Sequence, residues 1–520
     1  MICVTVARTR HKHTIAEHQR LADAGAKLIE LRLDYIGRSI DLTRLLNGRP
    51  TPVVITCRRK SDGGRWDRSE EERLMMLRSA IAMGVEYVDL EDDIADKIPR
   101  YGKTKRIVSM HNFEGTPQDL ESVHAELANH DADIIKIATL ANSFSDVRRM
   151  LTLMQNSKVP TIGISMGDIG TVTRILGLRY GAPFTYCVYS SERRVAPGQL
   201  SFDQMLNLYR VDKIDSNTKL FGVVADPVAH SYSPLIHNSA FVAQGINARY
   251  IPFRIPHFDL PNFLEWCREY GIGGLSVTIP HKEAIIEHLH QADSAAKDIG
   301  AVNTVLFTPE ATVGYNTDYR AAMDCLMDAM TKLKSGPDPM KDVAVLLLGA
   351  GGVSRAIGYG LARRGANVMV TSRTHDRSVA LADAIDGKAI AWASRYDIKP
   401  QMIVNGSPVG MFPDIDSSPY DAAKLQEGQL VFDTIYNPER TLLLKSAKAA
   451  GCAVVSGLQM FIRQAAYQYR LFTGNEPPVE TMIETLKRAI SVINYQGLNH
   501  EEDNDAPDEA VADDANPGEA

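Results

Sequence analysis

The sequence predicts an α/β protein in two parts: an N-terminal (β/α)8 barrel, then a two-lobed α/β unit whose second lobe is Rossmann-like. Three observations predict it. Over the first 200 residues or so, short apolar strands recur roughly every 20 to 30 residues, with helical segments between them. A second strand–helix alternation opens at LFGVVADP (220–227). Further on, VAVLLLGAGGVSRAIGYGLARRGANVMVTSRT (343–374) reads as strand, glycine turn, helix and strand.

The first series runs ICVTVA (2–7), KLIELRL (27–33), VVITCR (53–58), YVDLE (87–91), RIVSMH (106–111), DIIKIAT (133–139), TIGISM (161–166) and FTYCVYS (184–190). Eight strand–helix units of this length fit a closed barrel of residues 1–210, with its active site at the strand C-termini. SFDQMLNLYRVDKIDSNTKL (201–220) closes the barrel with a helix and loosens into a polar linker. The next lobe, 219–330, alternates helices with YIPFRI (250–255), GLSVTIP (274–280) and AVNTVLF (301–307), and is completed by 458–497. TKLKSGPDPMKD (331–342), rich in Gly, Pro and Lys, marks the boundary before the Rossmann-like lobe, 340–457.

Composition is that of a globular protein: 520 residues, 44% hydrophobic and 23% charged. The formal charge of −7 comes mainly from NHEEDNDAPDEAVADDANPGEA (499–520), an acidic stretch without aromatics that is expected to be disordered. The remaining body is near neutral, without the basic stripe that nucleic acid requires, so small molecules are the expected partners. No apolar run approaches a membrane span. The opening MICVTVARTR reads directly as a strand, with neither a signal peptide nor a presequence expected. Six scattered cysteines without CxxC spacing point to free thiols, a cytoplasmic setting and no structural zinc. HKH (11–13) lacks further ligands and reads as an exposed loop, and RLMMLRSAIAM (73–83) reads as helical core packing.

Chemistry concentrates where charge is least expected. Glu30, Arg32, Arg58, Glu91, His111 and Lys136 all fall within or at the ends of barrel strands. Lys136 stands in the middle of IIKIATL (134–140). An ammonium there is costly unless paired, and desolvation favours the neutral, nucleophilic amine. A neutral lysine facing a histidine base is equipped for imine (Schiff base) chemistry on a ketone, with no metal required. In the Rossmann-like lobe, GAGGVS (349–354) offers a pyrophosphate cradle at a helix N-terminus: Gly349 and Gly351 allow close backbone approach, and Ser354 loosens the helix–sheet packing. The second strand ends with Arg373, followed by Arg377, where an Asp or Glu would hold a ribose hydroxyl. A guanidinium at that point favours NADP over NAD.

These motifs carry a family resemblance over nearly the whole chain. ELRLD (30–34), TCR (56–58), VDLE (88–91), SMHNF (109–113), KIA (136–138), ISMG (164–167) and APGQ (196–199) make the first half resemble type I 3-dehydroquinate dehydratase. HSYSP (230–234), VTIPHK (277–282), AVNT (301–304), YNTD (315–318), NGSPVGMFP (405–413), Tyr436 and FIRQAAYQY (461–469) make the second half resemble shikimate dehydrogenase. Together they resemble the fused bifunctional enzyme of the shikimate pathway. The resemblance implies that Lys136 forms the imine with the C3 ketone of 3-dehydroquinate. His111 takes the C2 proton and helps the C1 hydroxyl leave. Arg174 holds the carboxylate, while Glu30, Arg32, Arg58 and Gln199 position the ring hydroxyls. It further implies Lys282 and Asp318 as the catalytic pair of the dehydrogenase, Ser231 and Ser233 on the substrate carboxylate, and Thr278, Asn303 and Gln464 on the substrate ring. The implied NADP ligands are Gly349, Ala350, Gly351, Gly352 and Val353 in the turn, Ser372, Arg373, Thr374 and Arg377 after the second strand, and Met411.

Departures from the family pattern are few. Asp62 in SDGG replaces a glutamate that orients the histidine, Val195 replaces a hydroxyl residue before APGQ, and Ser372 replaces an Asn. Loss of one substrate hydrogen bond at 195 costs about 0.5 to 1.5 kcal/mol, roughly tenfold at most. The expectation is a working but weakened dehydratase. There are two alternatives: from a different class, a non-catalytic metabolite sensor, which should have lost Lys136, His111 or Lys282; and within the enzyme class, a quinate dehydrogenase with an impaired dehydratase, which Ser231 and Ser233 disfavour.

Overall fold

The computed structural model describes residues 1–37, 39–229, 231–334 and 336–490. His230 of HSYSP, residues 491–497 and the acidic stretch 499–520 lie outside the described residues.

Eight strands open the chain: β1 (Ile2–Val6), β2 (Leu28–Arg32), β3 (Val53–Thr56), β4 (Tyr87–Glu91), β5 (Lys105–Asn112), β6 (Ile134–Leu140), β7 (Thr161–Met166) and β8 (Thr185–Val188). All are paired in parallel, in the order β7-β6-β5-β4-β3-β2-β1-β8. Nearly every residue of these strands is buried, which is why each reads as a continuous apolar run rather than an alternation. The closed ring expected from the sequence is almost achieved. Among the described residues no ladder joins β7 to β8, and the helix Thr171–Leu176 stands at that seam. Ser165 N donates to Thr173 Oγ1 at 3.0 Å on one side, and Thr185 Oγ1 donates to the carbonyl of Arg174 at 2.9 Å on the other. Those bonds pin Arg174 between two barrel strands.

The second sheet is β9 (Lys219–Ala225), β10 (Ala248–Arg254), β11 (Ile272–Val277), β12 (Gln291–Ala292), β13 (Thr304–Phe307) and β14 (Thr312–Tyr315), ordered β10-β9-β11-β13-β14-β12. It is mixed: β13 runs antiparallel to both β11 and β14. The helices Gly457–Thr473 and Val479–Ile490 return to cover it, with Ile462, Met482 and Leu486 buried in one cluster with Ile236 and Phe241. The third sheet is β15 (Ala344–Leu348), β16 (Asn367–Thr371), β17 (Lys388–Ala389), β18 (Met402–Asn405), β19 (Leu430–Asp433) and β20 (Ala453–Val455). All its pairings are parallel, in the order β17-β16-β15-β18-β19-β20. The order reverses between β15 and β18, the crevice where doubly wound sheets take ligands.

The barrel and the second sheet share one hydrophobic core. Phe144, the first residue of the helix Phe144–Asn156, lies edge-on to Phe263 and Trp266, both at 5.0 Å. Its backbone N–H donates to buried Asp259, and Arg148 grips Glu269 with two bonds of 2.7 and 2.8 Å. HKH opens the helix His11–Asp23 rather than forming a loop, because His11 Nε2 accepts from Asp41 N at 2.9 Å and anchors that end. In 73–83, Leu77, Ala80 and Ile81 are buried, whereas Met75 and Met83 face outward. Among the described residues, no helix is long and apolar enough to cross a membrane.

Candidate active sites

One cavity at the C-terminal end of the barrel collects Glu30, Arg32, Arg58, His111, Lys136, Arg174 and Gln199, together with Asp62 and Val195. Strand register explains the meeting of the lysine and the histidine. Ser109 of β5 pairs with Lys136 of β6, and His111 pairs with Ala138. His111 and Lys136 therefore face the same interior, with the imidazole one pleat repeat nearer the mouth.

Lys136 differs from the expectation in one respect: it is not unpaired. Its Nζ donates to Asp89 Oδ2 at 2.9 Å and lies 4.5 Å from the ring centre of Tyr186. Asp89 also accepts from Arg58 at 2.7 Å and Ser109 at 2.6 Å. Burial works against the Asp89 charge, but Arg58 and Lys136 prevail and hold its carboxyl well below the usual range. Arg58 reaches Glu91 as well, and Glu91 is capped by the fully buried Arg73. The charges of the barrel floor are thus mutually compensated, as buried ions must be. Glu30 accepts from Thr5 and Thr56 at 2.7 and 2.8 Å, and Arg32 forks onto Asp34. These bonds fix both side chains at the cavity wall.

Two groups lack such compensation. His111 Nδ1 is buried without a partner. Burial, with Arg58 and Lys136 close by, pushes the imidazole pKa well below 6.5, so it stands neutral and ready to accept a proton. Asp62 does not orient it: the carboxylate accepts from Arg59 Nε at 2.9 Å and Ser61 Oγ at 2.8 Å, and Arg59 is itself clamped by Asp93. Arg174 is 2% exposed, its Nε has no partner, and its Nη2 donates to the Pro197 carbonyl at 3.5 Å. Burial lowers its pKa to about 10. A buried guanidinium without a carboxylate is the seat for an anionic ligand. Gln199 shapes the wall beside it, accepting from Val195 N and Ala196 N at 2.8 and 3.1 Å.

The second candidate site lies where the other two sheets meet. Lys282, on the helix His281–Ala284 after β11, donates to Asp318 Oδ2 at 2.6 Å. Asp318 sits in the first turn of the helix Thr317–Leu333, whose N-cap is Asn316. Ser231 and Ser233 follow β9, and Ser231 Oγ accepts from Ser233 N at 3.3 Å. Thr278 follows β11 and is half-buried. Asn303 is turned inward: its Oδ1 accepts from Thr317 N at 2.7 Å and its Nδ2 donates to Thr317 Oγ1 at 2.9 Å, which ties β13 to the helix bearing Asp318. Buried Gln464 donates to the carbonyl of Phe461 at 3.0 Å. One helical turn on, Gln468 bonds Thr304, Ser276 and the Asn303 carbonyl, linking three elements.

The glycine turn abuts this pair. A Cβ at Gly352 would lie 3.3 Å from Lys282 Cδ, and one at Gly349, whose φ is +112°, would meet the Gly406 backbone at 2.9 Å. A Cβ at Gly351 would meet nothing within 4 Å, so the backbone there is open to a phosphate, with the N-terminus of the helix Gly352–Ala362 behind it. Ala350 and Val353 complete the turn, the first buried and the second half-buried. Ser354 is buried against Gly406, donating to its carbonyl at 3.3 Å. Beyond β16, Ser372 Oγ donates to the Thr374 carbonyl at 2.7 Å, while Arg373 and Arg377 are exposed and form no ion pair among the described residues. Met411 is 46% exposed on the loop after β18. The residues present fit a 2′-phosphorylated dinucleotide.

Sequence reasoning missed several residues of these sites. Asp89 lay inside a quoted motif, but its pairing with Lys136 spans 47 positions. Tyr186 and Gln468 fall within FTYCVYS and FIRQAAYQY but are not singled out there, since an aromatic in a strand or a glutamine in a helix carries no signal of its own.

Comparison with known proteins identifies the family of each half. The family model described as Type I 3-dehydroquinase matches residues 2–216, that for the shikimate dehydrogenase substrate binding domain matches 223–305, and that for the shikimate 5′-dehydrogenase C-terminal domain matches 457–487. A shikimate dehydrogenase (NADP(+)) of Bacillus licheniformis is 38% identical, covering 51% of this chain and 94% of that protein. A crystal structure of shikimate dehydrogenase in complex with NADP+ aligns with a TM-score of 0.50 at 35% identity, over 54% of this chain and 98% of that one. The chloroplastic bifunctional 3-dehydroquinate dehydratase/shikimate dehydrogenase of Arabidopsis thaliana is 35% identical, over 92% of this chain and 83% of its own length. With both halves matched in one relative, the chain belongs to the bifunctional 3-dehydroquinate dehydratase/shikimate dehydrogenase family.

Proposed function

We propose that this chain dehydrates 3-dehydroquinate to 3-dehydroshikimate in its barrel (residues 1–210) and reduces that ketone to shikimate with NADPH. The reduction takes place between a substrate lobe (219–330 with 458–497) and a cofactor lobe (340–457). The observation that carries the reading is a buried lysine sharing one cavity with a neutral histidine and an uncompensated arginine.

In the barrel, Arg174 takes the substrate carboxylate. Lys136, freed of a proton, attacks the C3 ketone, and the resulting imine acidifies C2. His111 removes the C2 proton and returns it to the departing C1 hydroxyl on the same face, a role typically contributing 10²- to 10⁴-fold. Asp89 and Arg58 keep the floor electrostatically balanced while the charge on nitrogen changes. Glu30, Arg32 and Gln199 hold the ring hydroxyls.

NADPH, when bound, supplies hydride to the ketone carbon. The chain's own part is to hold the cofactor phosphates at 349–353 and the 2′-phosphate at Arg373 and Arg377. Ser231, Ser233, Thr278, Asn303 and Gln464 orient the substrate, and Lys282 gives a proton to the reacting oxygen, its ammonium maintained by Asp318. Six free thiols, all buried, support a reducing, cytoplasmic setting, and the partners are these small molecules.

The test is NADPH oxidation by the purified chain given 3-dehydroquinate alone. Steady oxidation is expected. Lys136→Ala should abolish it until 3-dehydroshikimate is supplied, and Lys282→Met should abolish it with either substrate. Failure of the intact protein to oxidise NADPH with 3-dehydroshikimate would overturn the reading.

A further inference from the structure

Among the cavity-lining side chains of the barrel, Tyr186 has no role in the scheme above. It lies on β8, opposite Cys3 of β1, and is 3% exposed. Its ring is the surface against which Lys136 Nζ rests, 4.5 Å from the ring centre. Its hydroxyl is buried and has no hydrogen-bond partner. An orphan hydroxyl in a packed barrel is unusual, because leaving such a group unsatisfied is destabilising and phenylalanine would fill the same space without that penalty. The hydroxyls of Thr5, Thr56 and Ser109 all donate to carboxylates, and the orphan Ser165 hydroxyl does not line the cavity, so Tyr186 carries the unpartnered hydroxyl among the cavity-lining side chains. The orphan donor thus belongs to a side chain that lines the same cavity as Lys136 and supports its amine, the cavity that must hold whatever Lys136 attacks.

We propose that the Tyr186 hydroxyl is a hydrogen-bond donor to the substrate oxygen on the carbon that Lys136 attacks. This inference rests on the dehydratase reading of the barrel. As the nitrogen lone pair forms the N–C bond, the carbonyl π pair moves onto oxygen. That oxygen receives a proton from nitrogen to give a carbinolamine hydroxyl, then the proton that the Lys136 ammonium first gave up to His111, and leaves as water while the C=N bond forms, with His111 neutral again. Tyr186 stabilises the developing negative charge and keeps its own proton throughout. Burial, with Glu30 close by, raises the phenol well above its usual range, which suits a group that donates without ionising.

The test is Tyr186→Phe, measured in three ways. Dehydration kcat should fall about 5- to 100-fold, the range for one hydrogen bond left unsatisfied at a buried oxygen, with little change in KM. Single-turnover borohydride trapping should still label Lys136 completely, but more slowly than in the unsubstituted protein. The thermal midpoint of the ligand-free protein should hold or rise, because the substitution removes an unsatisfied polar atom, and shikimate oxidation should be unchanged. An unaltered trapping rate and kcat would overturn the proposal, as would a loss accompanied by a lower midpoint and a matching fall in shikimate oxidation. Absence of any adduct in the unsubstituted protein would overturn the dehydratase reading itself, a result distinct from an unaltered rate.

Discussion

Arg174→Met removes the guanidinium proposed to seat the substrate carboxylate while keeping most of the side-chain volume. Arg174 is 2% exposed and has no ion-pair partner among the described residues. Its pKa falls from 12.5 to about 10, and burial is the cause. A folded-state value below the unfolded one means the charged form is disfavoured in the fold. The penalty is fully present at neutral pH and disappears as pH rises from about 10 through 12.5. Its size is of the order of 3 kcal/mol, offset in part by the bonds the helix Thr171–Leu176 makes around it. Methionine should therefore leave the thermal midpoint unchanged or raise it by a few degrees. The substrate carboxylate would lose its partner, at about 2 kcal/mol or more, roughly 30-fold in kcat/KM for 3-dehydroquinate. The assay is dehydration kinetics alongside a thermal melt, with shikimate oxidation as the control. A midpoint several degrees lower with less than about fivefold loss of kcat/KM would make Arg174 a structural residue and refute the reasoning.

Asp62→Glu should increase dehydration kcat several-fold, since the longer carboxylate can reach His111 Nδ1, which has no partner now; steady-state kinetics would show no gain if Arg59 retains the longer side chain too. Arg373→Ala should raise the KM for NADP by about tenfold or more and leave that for NAD nearly unchanged, because only the 2′-phosphate contact is lost; equal effects on both cofactors would contradict the role. Asp433, buried and bonded to Asn405, Ile435 N and Thr441, has its pKa raised by burial to about 6. Its charge thus opposes folding above that pH, and protonation relieves the opposition. Relative to Asp433→Asn, the unsubstituted protein should gain about 1 kcal/mol between pH 7 and pH 5, measured by denaturant titration; a difference that does not vary with pH would refute this.

The barrel strands were legible because each is buried on both faces, so eight apolar runs mark eight strands. The seam was not legible, since the helix Thr171–Leu176 takes up the bonds that a β7–β8 ladder would have made. The hairpin of β13 and β14 escaped for a local reason: its turn, Thr308–Ala311, closes through threonine and carries none of the Asn-Gly or Asp-Gly signals of a tight hairpin. In the sites, the seven barrel residues named from motifs all reach one cavity: strand register brings His111 and Lys136 together, while Arg174 comes from the seam helix Thr171–Leu176 and Gln199 from the loop after β8. Their charge state was harder to read. The partner of Lys136 comes from β4, which is not adjacent to β6, and the direction of Asp62 depends on competition with Arg59 and Asp93. Pairings across a barrel interior have no period in sequence.

The identity of the nucleophile is best tested by borohydride reduction of the full-length protein in the presence of 3-dehydroquinate, followed by peptide mass analysis. A single substrate-derived adduct on Lys136, absent without substrate, is the expected result. An adduct on another lysine, or turnover of 3-dehydroquinate with no adduct at all, would contradict imine formation in the barrel.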